Sequence, residues 1–314
     1  MRNKIMAILA MLISLNSCSQ SKNTKKEMEE IVQEIHKQVH TYKEKPVYSA
    51  QVDKTGCRMV LEMKNNIEYR FTENNGESMN VPLNFFITKS GKQTAIIKVY
   101  PKEGDTYITK YAMVNLTFYY APDKGSKMDQ YKEIAKYTLP EGLEEKKLPY
   151  YEALVTFDAT IPFDYSKELE NAQDLTKVSN IEQKIINKYN RTSEVIRDKN
   201  IIAYEKQNLF NNIRMFETTY EASIEEIRNN EIQLQDANMF SSILQNREML
   251  PIENYKIQYY ADGKIVALWS MINIESPLRI KGNYTKKDGS IGDYQESISL
   301  FLYMPAGSNE LKVW

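Results

Sequence analysis

The stretch LNFFITKSGKQTAIIKVY, residues 83–100, decides the fold that this sequence predicts. Two short runs rich in aromatic and β-branched residues, Leu83–Thr88 and Thr94–Tyr100, flank the turn signal Ser90-Gly91-Lys92. Each run has the length of a strand, and no helical spacing lies between them. The stretch therefore predicts two antiparallel strands joined by a turn.

The same pattern of short strands and turns extends to both sides of this stretch. Turn signals occur at Asn74-Asn75-Gly76, Glu103-Gly104-Asp105 and Asp123-Lys124-Gly125. The further strands are expected at Val47–Asp53, Cys57–Met63, Ile67–Thr72, Thr106–Tyr120 and Tyr150–Phe163. Seven short strands with no helices between most of them indicate an antiparallel β-sandwich over residues 46–164.

After a polar connection at Tyr165–Thr176 the apolar spacing becomes helical. A first helix begins at Asn180, and apolar residues from Ile202 to Ile227 predict a second helix of about thirty residues. A third helical segment is expected at Leu234–Leu250, before Pro251. The helices of this part thus fall within residues 180–250.

Strand character returns in residues 253–314. Asn254–Ala261 and Lys264–Ile274 predict a hairpin whose two-residue turn is Asp262-Gly263. Further strands are expected at Leu278–Thr285, Glu296–Met304 and Leu311–Trp314. Residues 165–314 therefore form a second, α+β domain, and the fold class is mixed β and α+β.

The amino terminus has the features of a secretory signal. Arg2 and Lys4 precede an eleven-residue apolar run, Ile5–Leu15, which is shorter than the roughly 20 residues that span a bilayer. The residues Leu15-Asn16-Ser17-Cys18 that follow resemble a bacterial lipobox. The resemblance implies that residues 1–17 are a lipoprotein signal peptide and that Cys18 is lipidated, which anchors the chain in a membrane.

Residues 18–45 then predict a lipidated tether and an amphipathic helix. Ser19–Lys26 is polar, as expected of a solvated spacer. It lacks the acidic patch that surface-exported lipoproteins carry after the cysteine, so the lipobox resemblance implies the periplasmic side of an outer membrane rather than the cell surface. Apolar residues recur at helical spacing from Glu27 to Tyr42. The tether and helix therefore lie between the anchor and the sandwich.

Histidine is confined to His36 and His40, on the flank of this helix. The two rings could share a metal, but the residues between them are not those of a metalloprotease helix, so packing at the boundary of the apolar stripe is favoured. No cofactor and no metal are predicted. Histidine-dependent hydrolysis requires that His36 or His40 fold back against an acidic residue, and carboxylate chemistry requires two facing carboxylates in a cleft. Without either arrangement, the protein is expected not to be an enzyme.

Charge and cysteine content exclude two further classes. The 41 basic and 42 acidic residues give a net charge of −1, which falls to −3 without Arg2 and Lys4, so nucleic acid is not an expected partner. With Cys18 lipidated, Cys57 is the only remaining thiol. It is expected to be a small buried apolar residue at the start of a strand.

Tyrosines provide the candidate binding residues, since 22 are present against 10 phenylalanines. Neighbouring residues on a strand point to opposite faces, so one tyrosine of each adjacent pair leaves the core. This alternation places Tyr119, Tyr150 and Tyr260 on outward faces, where they supply binding area or simply cross-strand packing. Trp269 lies on a strand with two apolar faces and is expected in core, at the domain junction or in a ligand groove.

Several short stretches together resemble a group of uncharacterised Bacteroidetes envelope lipoproteins of the Flavobacteriia type. They are Asn84-Phe85-Phe86-Ile87, Ser90-Gly91-Lys92-Gln93, Val99-Tyr100-Pro101, Ile161-Pro162-Phe163, Asp174-Leu175, Tyr260-Ala261-Asp262-Gly263-Lys264 and Met304-Pro305-Ala306-Gly307. The helices followed by a Tyr-x-Asp-Gly-Lys hairpin are also loosely similar to nuclear transport factor 2-like domains. The first resemblance implies an envelope lipoprotein and supplies no activity.

The sequence thus predicts a lipid-anchored, non-catalytic envelope binding protein. The leading hypothesis is a protein partner, as for an immunity lipoprotein that neutralises a toxin delivered into the periplasm. The alternative is a glycan or another small ligand, held by outward aromatic side chains. A hydrolase is third.

Overall fold

The computed structural model describes residues 23–235, 239–241 and 243–314. Cys18 and the apolar run before it lie outside these residues. The described chain contains four antiparallel sheets and five α-helices, so the mixed α+β fold class is confirmed. None of the helices in the described ranges combines the length and the apolar character that a bilayer crossing requires.

The first part of the chain is a sandwich of two four-stranded antiparallel sheets. One sheet has the order β4-β1-β6-β7 and the other the order β3-β2-β5-β8. The strands are β1 Val47–Thr55, β2 Cys57–Met63, β3 Glu68–Phe71, β4 Glu77–Pro82, β5 Gly91–Pro101, β6 Met113–Ala121, β7 Lys132–Thr138 and β8 Tyr151–Ala159. Alternate residues of both sheets, such as Val52 and Leu116 facing Met59 and Ile97, meet in one buried core.

A single glycine carries the chain from one sheet to the other. Gly56 is the only residue between β1 and β2, and its φ of +66° lies in the left-handed region. A Cβ at this position would overlap the backbone carbonyl of Tyr111. Both the turn and the close approach therefore require glycine here.

Cys57 follows directly and is fully buried in the sandwich core, as the sequence predicts. Burial raises the pKa of its thiol to about 11. The side chain is therefore an apolar packing element.

Residues 165–314, called here the C-terminal lobe, contain four helices and two smaller sheets. The helices are α2 Ser166–Asn171, α3 Ile181–Arg197, α4 Ile201–Thr218 and α5 Ile224–Gln235. One sheet has the order β10-β11-β14-β15 and the other the order β13-β12-β9. Their strands are β9 Gln245–Met249, β10 Tyr255–Tyr260, β11 Ile265–Ser270, β12 Arg279–Thr285, β13 Ile291–Ser297, β14 Leu302–Tyr303 and β15 Lys312–Val313.

Strand β11 is covered on both faces, as its two apolar phases predict. All six of its residues are buried. Val266 and Leu268 pack in the core of the lobe with α3, while Ala267 and Trp269 pack toward the sandwich. The hydroxyl of Tyr189 on α3 accepts from the Leu268 N–H at 2.9 Å and donates to the Leu300 carbonyl at 2.7 Å, which fixes the helix to this sheet.

The amino-terminal helix, α1, covers residues 23–38 and packs on α4 and α5. Its apolar stripe, including Ile31, Val32 and Ile35, meets Phe216 and Ile227. The stripe is therefore correctly predicted. The helix ends at residue 38 rather than 42, because the Tyr42 hydroxyl bonds to Glu217 and the chain must extend to reach β1.

The predicted helix of about thirty residues is wrong, because α4 and α5 are separate. Tyr220 has a φ of +59°, which ends the helix, and its hydroxyl donates to the Pro46 carbonyl at 2.9 Å. The predicted helix at Leu234–Leu250 is also wrong, because only residues 234–235 are helical among those that the structure describes there. There β9 pairs with β12, so a tertiary ladder overrides the helical spacing.

Other strand boundaries also differ from the prediction. Leu83–Thr88 forms a short 3₁₀ turn at Asn84–Phe86 rather than a strand, since the Asn84 side chain bonds to the Tyr48 N–H and to the carbonyls of Pro46 and Thr218. Strands β4 and β7 were not predicted, and the strand expected from Thr106 begins at Met113. The β10–β11 hairpin forms, but its loop has four residues, 261–264, instead of two.

Candidate functional site

The sandwich and the C-terminal lobe meet across a buried ionic network. Glu68 on β3 is buried and forms ion pairs with Arg70 and with Lys98, the latter at 3.9 Å. Arg70 crosses the junction and donates to the Ile274 carbonyl at 2.7 Å and to the Gln258 side chain at 3.2 Å. A second carboxylate, Glu62, also pairs with Lys98, so this network has two cations and two anions.

Both tryptophans of the chain lie beside this network. The Arg70 guanidinium stacks 3.5 Å from the Trp269 ring centroid. Trp269 Nε1 donates to the Tyr260 hydroxyl at 2.6 Å, and Trp314 Nε1 donates to Asn66 Oδ1 at 2.7 Å. The indole donors are satisfied, so both rings are firmly held.

A groove of about 530 Å³ opens above these residues, between the sandwich and the lobe. Its walls come from β3, the Asn84–Phe86 turn, α4, the loop after β11 and the carboxyl terminus. Four half-buried aromatic side chains line it, namely Tyr69, Phe85, Phe86 and Tyr204. Amide and hydroxyl groups between them come from Asn208, Asn211, Ser297 and Ser299.

Arg214 of α4 lies directly behind the wall of the groove and is only 1% exposed. Its guanidinium carbon is 3.9 Å from the centroid of Trp314, 4.6 Å from that of Phe85 and 5.4 Å from that of Tyr165. Nη2 donates to the Phe85 carbonyl at 3.3 Å, while Nε and Nη1 have no hydrogen-bond partner among the described residues. Burial lowers the pKa of this guanidinium to about 9.

Of the predicted binding residues, Trp269 lies at the junction, where it is 1% exposed and lines the groove. The outward orientation predicted for Tyr260 is wrong, since it is 2% exposed and Tyr259 is 38% exposed. Beyond the exposed Lys256, the polar phase of β10 faces the sandwich. Its Gln258 meets Arg70 and Glu68 of the sandwich, so polar side chains on this face serve the buried network.

Tyr119 lies on β6 of one sheet, and Tyr150 directly precedes β8 of the other sheet. Tyr150 is 37% exposed, as predicted, and its hydroxyl donates to Glu152. Tyr119 is half-buried on β6, opposite Ser49. The two side chains therefore do not form one surface with each other or with the groove.

His36 and His40 are both exposed rather than packed at a boundary. His40 Nδ1 lies 3.2 Å from Glu217 Oε1, and Glu217 also accepts from the hydroxyls of Tyr42 and Tyr165. An imidazole held by a buried carboxylate can act as a general base. Ser223 and His40 line one shallow surface pocket, but the Ser223 hydroxyl donates to Glu226 at 2.7 Å. The described residues contain no cluster of three or more metal-ligating side chains.

A second acidic feature was not predicted at all. Glu205 on α4 and Glu231 on α5 are both buried, and Asn212 Nδ2 donates to Glu205 Oε2 at 2.6 Å. Burial and the neighbouring Glu231 raise the pKa of Glu205, so the pair retains a proton. Neither residue lines the groove, and sequence spacing gives no sign that these glutamates are buried.

Searches of protein-family models, of curated proteins and of solved structures find no match to this chain.

Proposed function

We propose that this protein is a lipid-anchored envelope binding protein that holds a carbohydrate ligand in the junction groove without covalent chemistry. The groove is the observation that supports this most directly. Its volume of about 530 Å³ lies within the range of about 300–1,000 Å³ that is usual for small-ligand sites. The lipid anchor is supported by the signal pattern that ends at Cys18.

The lining of the groove favours a sugar over a wholly apolar ligand. Tyr69, Phe85, Phe86 and Tyr204 offer aromatic surface on which the C–H face of a sugar ring can pack. Amides and hydroxyls beside the rings can donate to and accept from sugar hydroxyls. A ligand with one apolar face and many hydroxyls matches both features.

A binding role agrees with where the titratable groups are placed. The Glu205–Glu231 pair and His40 lie outside the groove lining, and Glu68 inside it is held in ion pairs. Aromatic side chains and satisfied charges are suited to hold a ligand rather than to transfer a proton.

Calorimetric titration of the purified protein with neutral and acidic plant and bacterial oligosaccharides tests this function. We expect saturable binding that weakens about 2- to 10-fold in Tyr204→Ala, the effect of losing one aromatic contact of about 0.5–1.5 kcal/mol. Tyr150→Ala is the control, because Tyr150 is an exposed tyrosine that lies outside the groove lining. Absence of saturable binding by every oligosaccharide would refute the proposal.

The anchor has its own test in cells. Metabolic labelling with a fatty acid should mark the wild-type protein and leave Cys18→Ser unmarked. An unlabelled wild-type protein would remove the anchor from the proposal and leave the groove unaffected.

A protein partner, such as a periplasm-delivered toxin, is the second candidate. It is favoured by Met271 and Ile272, which are 64% and 72% exposed in the loop after β11, next to groove-lining Ile274. Exposed apolar side chains beside a groove are typical of protein contacts. Capture of an envelope protein by the wild-type protein but not by Met271→Ser/Ile272→Ser, with oligosaccharide binding absent, would favour this candidate.

A further inference from the structure

We propose that the groove selects acidic sugars, carbohydrates that carry a carboxylate, and that Arg214 is the residue that determines this selectivity. The inference rests on the proposed function, because it names the substrate class of the same groove.

Arg214 is a buried cation whose charge is not balanced by a direct partner. Within the described part of the chain no carboxylate forms an ion pair with it, and its single hydrogen bond goes to the Phe85 carbonyl. The Tyr165 ring contacts the guanidinium, and the Tyr165 hydroxyl donates to the buried Glu217 carboxylate at 2.6 Å. Burial of a poorly paired charge costs free energy, and such costs persist where they serve a function.

The charge of Arg214 lies one side chain away from the interior of the groove. Phe85 and Trp314 contact the guanidinium and also line the groove. Aromatic side chains and buried backbone exclude water between the charge and the groove, so the field is weakly screened there. An anion in the groove therefore interacts with Arg214 although it does not touch it.

The other charges near the groove largely cancel one another. Arg70 and Lys98 are matched by Glu68 and Glu62 in the junction network. Glu275 at the rim is half-buried, and solvent screens it more than it screens Arg214. Among the described residues that contact the groove lining, Arg214 is a buried cation without an ion pair, which favours a ligand with a negative group.

A carboxylate is the negative group that suits a sugar site of this kind. A uronic acid retains the ring face and the hydroxyls that the aromatic and amide lining can engage, and it adds one negative charge per sugar residue. At a separation of about 10 Å and an effective dielectric constant of about 20, attraction to Arg214 strengthens binding about tenfold or more.

The test compares trigalacturonate with the neutral trisaccharide of galactose by calorimetry, on the same protein. We expect the wild-type protein to bind trigalacturonate about tenfold more tightly. In Arg214→Met we expect the two affinities to become equal, with the neutral affinity retained. Arg191→Met, on the exposed face of α3, is the matched control and should keep the preference.

The comparison of the two trisaccharides on the wild-type protein tests the preference for acidic sugars even if Arg214→Met does not fold. Equal affinities, or a preference for the neutral sugar, would overturn the inference and leave the proposed function standing. A preference that survives in folded Arg214→Met would also overturn it. If neither trisaccharide nor any other oligosaccharide binds, the proposed function itself fails and takes this inference with it.

Discussion

Replacing Glu205 by Gln should stabilise the protein at neutral pH and flatten the dependence of its stability on pH. Glu205 is fully buried against Glu231, and Asn212 donates to one of its oxygens. A glutamine has the shape of the protonated glutamate, so its oxygen can still accept from Asn212 and its NH₂ can donate to Glu231. The substitution therefore removes a titration and keeps the packing.

The sign of the effect follows from the raised pKa. Burial and the neighbouring Glu231 hold the pKa of Glu205 above its ordinary value of 4.5 in the folded protein. Above pH 4.5 the unfolded chain therefore releases a proton from Glu205 that the folded protein keeps, so the free energy of unfolding falls as pH rises. One such proton gives a slope of up to about 1.4 kcal/mol per pH unit, so from pH 5 to 7 the wild type loses up to about 2.7 kcal/mol that the variant does not lose.

Urea unfolding at a series of pH values between 5 and 8 measures this slope directly. Glu194→Gln, an exposed glutamate of α3, is the control and should follow the wild type. A Glu205→Gln slope equal to that of the wild type would refute the reasoning. So would a variant that is less stable than the wild type at pH 8.

Three further predictions concern the fold. Gly56→Ala should lower the free energy of unfolding by about 2–4 kcal/mol in urea, because of the left-handed backbone and the clash with Tyr111. Gly76→Ala meets only ordinary contacts and should lower it by less than about 1 kcal/mol. Tyr189→Phe should cost about 1–3 kcal/mol in the same assay, because it leaves a buried N–H and a buried carbonyl unpaired. A thiol reagent at pH 8 should label Cys57 only after unfolding, because burial raises the pKa of its thiol to about 11.

Each of these has a clear contrary result. Equal losses in the two glycine variants would show that the β1–β2 corner does not require glycine. An unchanged midpoint for Tyr189→Phe would show that its two hydrogen bonds do not fix α3 to the sheet. Labelling of native Cys57 as fast as that of unfolded protein would show that the thiol is accessible.

The sequence predicts the sandwich and the return to strands well, because both depend on local alternation and on turns. It also predicts that β11 is covered on both faces, since both of its phases are apolar. The secondary-structure predictions that are wrong have a common cause, which is that tertiary contacts override the local pattern. The Asn84 side chain bonds to residues far along the chain and replaces a strand by a turn, and the β9–β12 ladder replaces a predicted helix.

The site was partly predictable. The two apolar faces of β11 predict that Trp269 lies in the core, at the junction or in a groove, and the pattern does not distinguish among these three places. Tyr260 was placed outward because Lys256 and Gln258 share its phase, and alternation cannot tell a solvated polar face from one that meets buried ions of another sheet. Arg214 gives no signal in sequence, since an arginine on a helix is usually exposed.

The central claim is that the groove between the sandwich and the lobe holds the ligand. The most direct measurement is a crystal structure of the protein with trigalacturonate. The account predicts the sugar in the groove, with a ring face packed on Tyr204 or Phe85 and its carboxylate on the side of Arg214. A sugar bound at any other surface, with the groove empty, would contradict it.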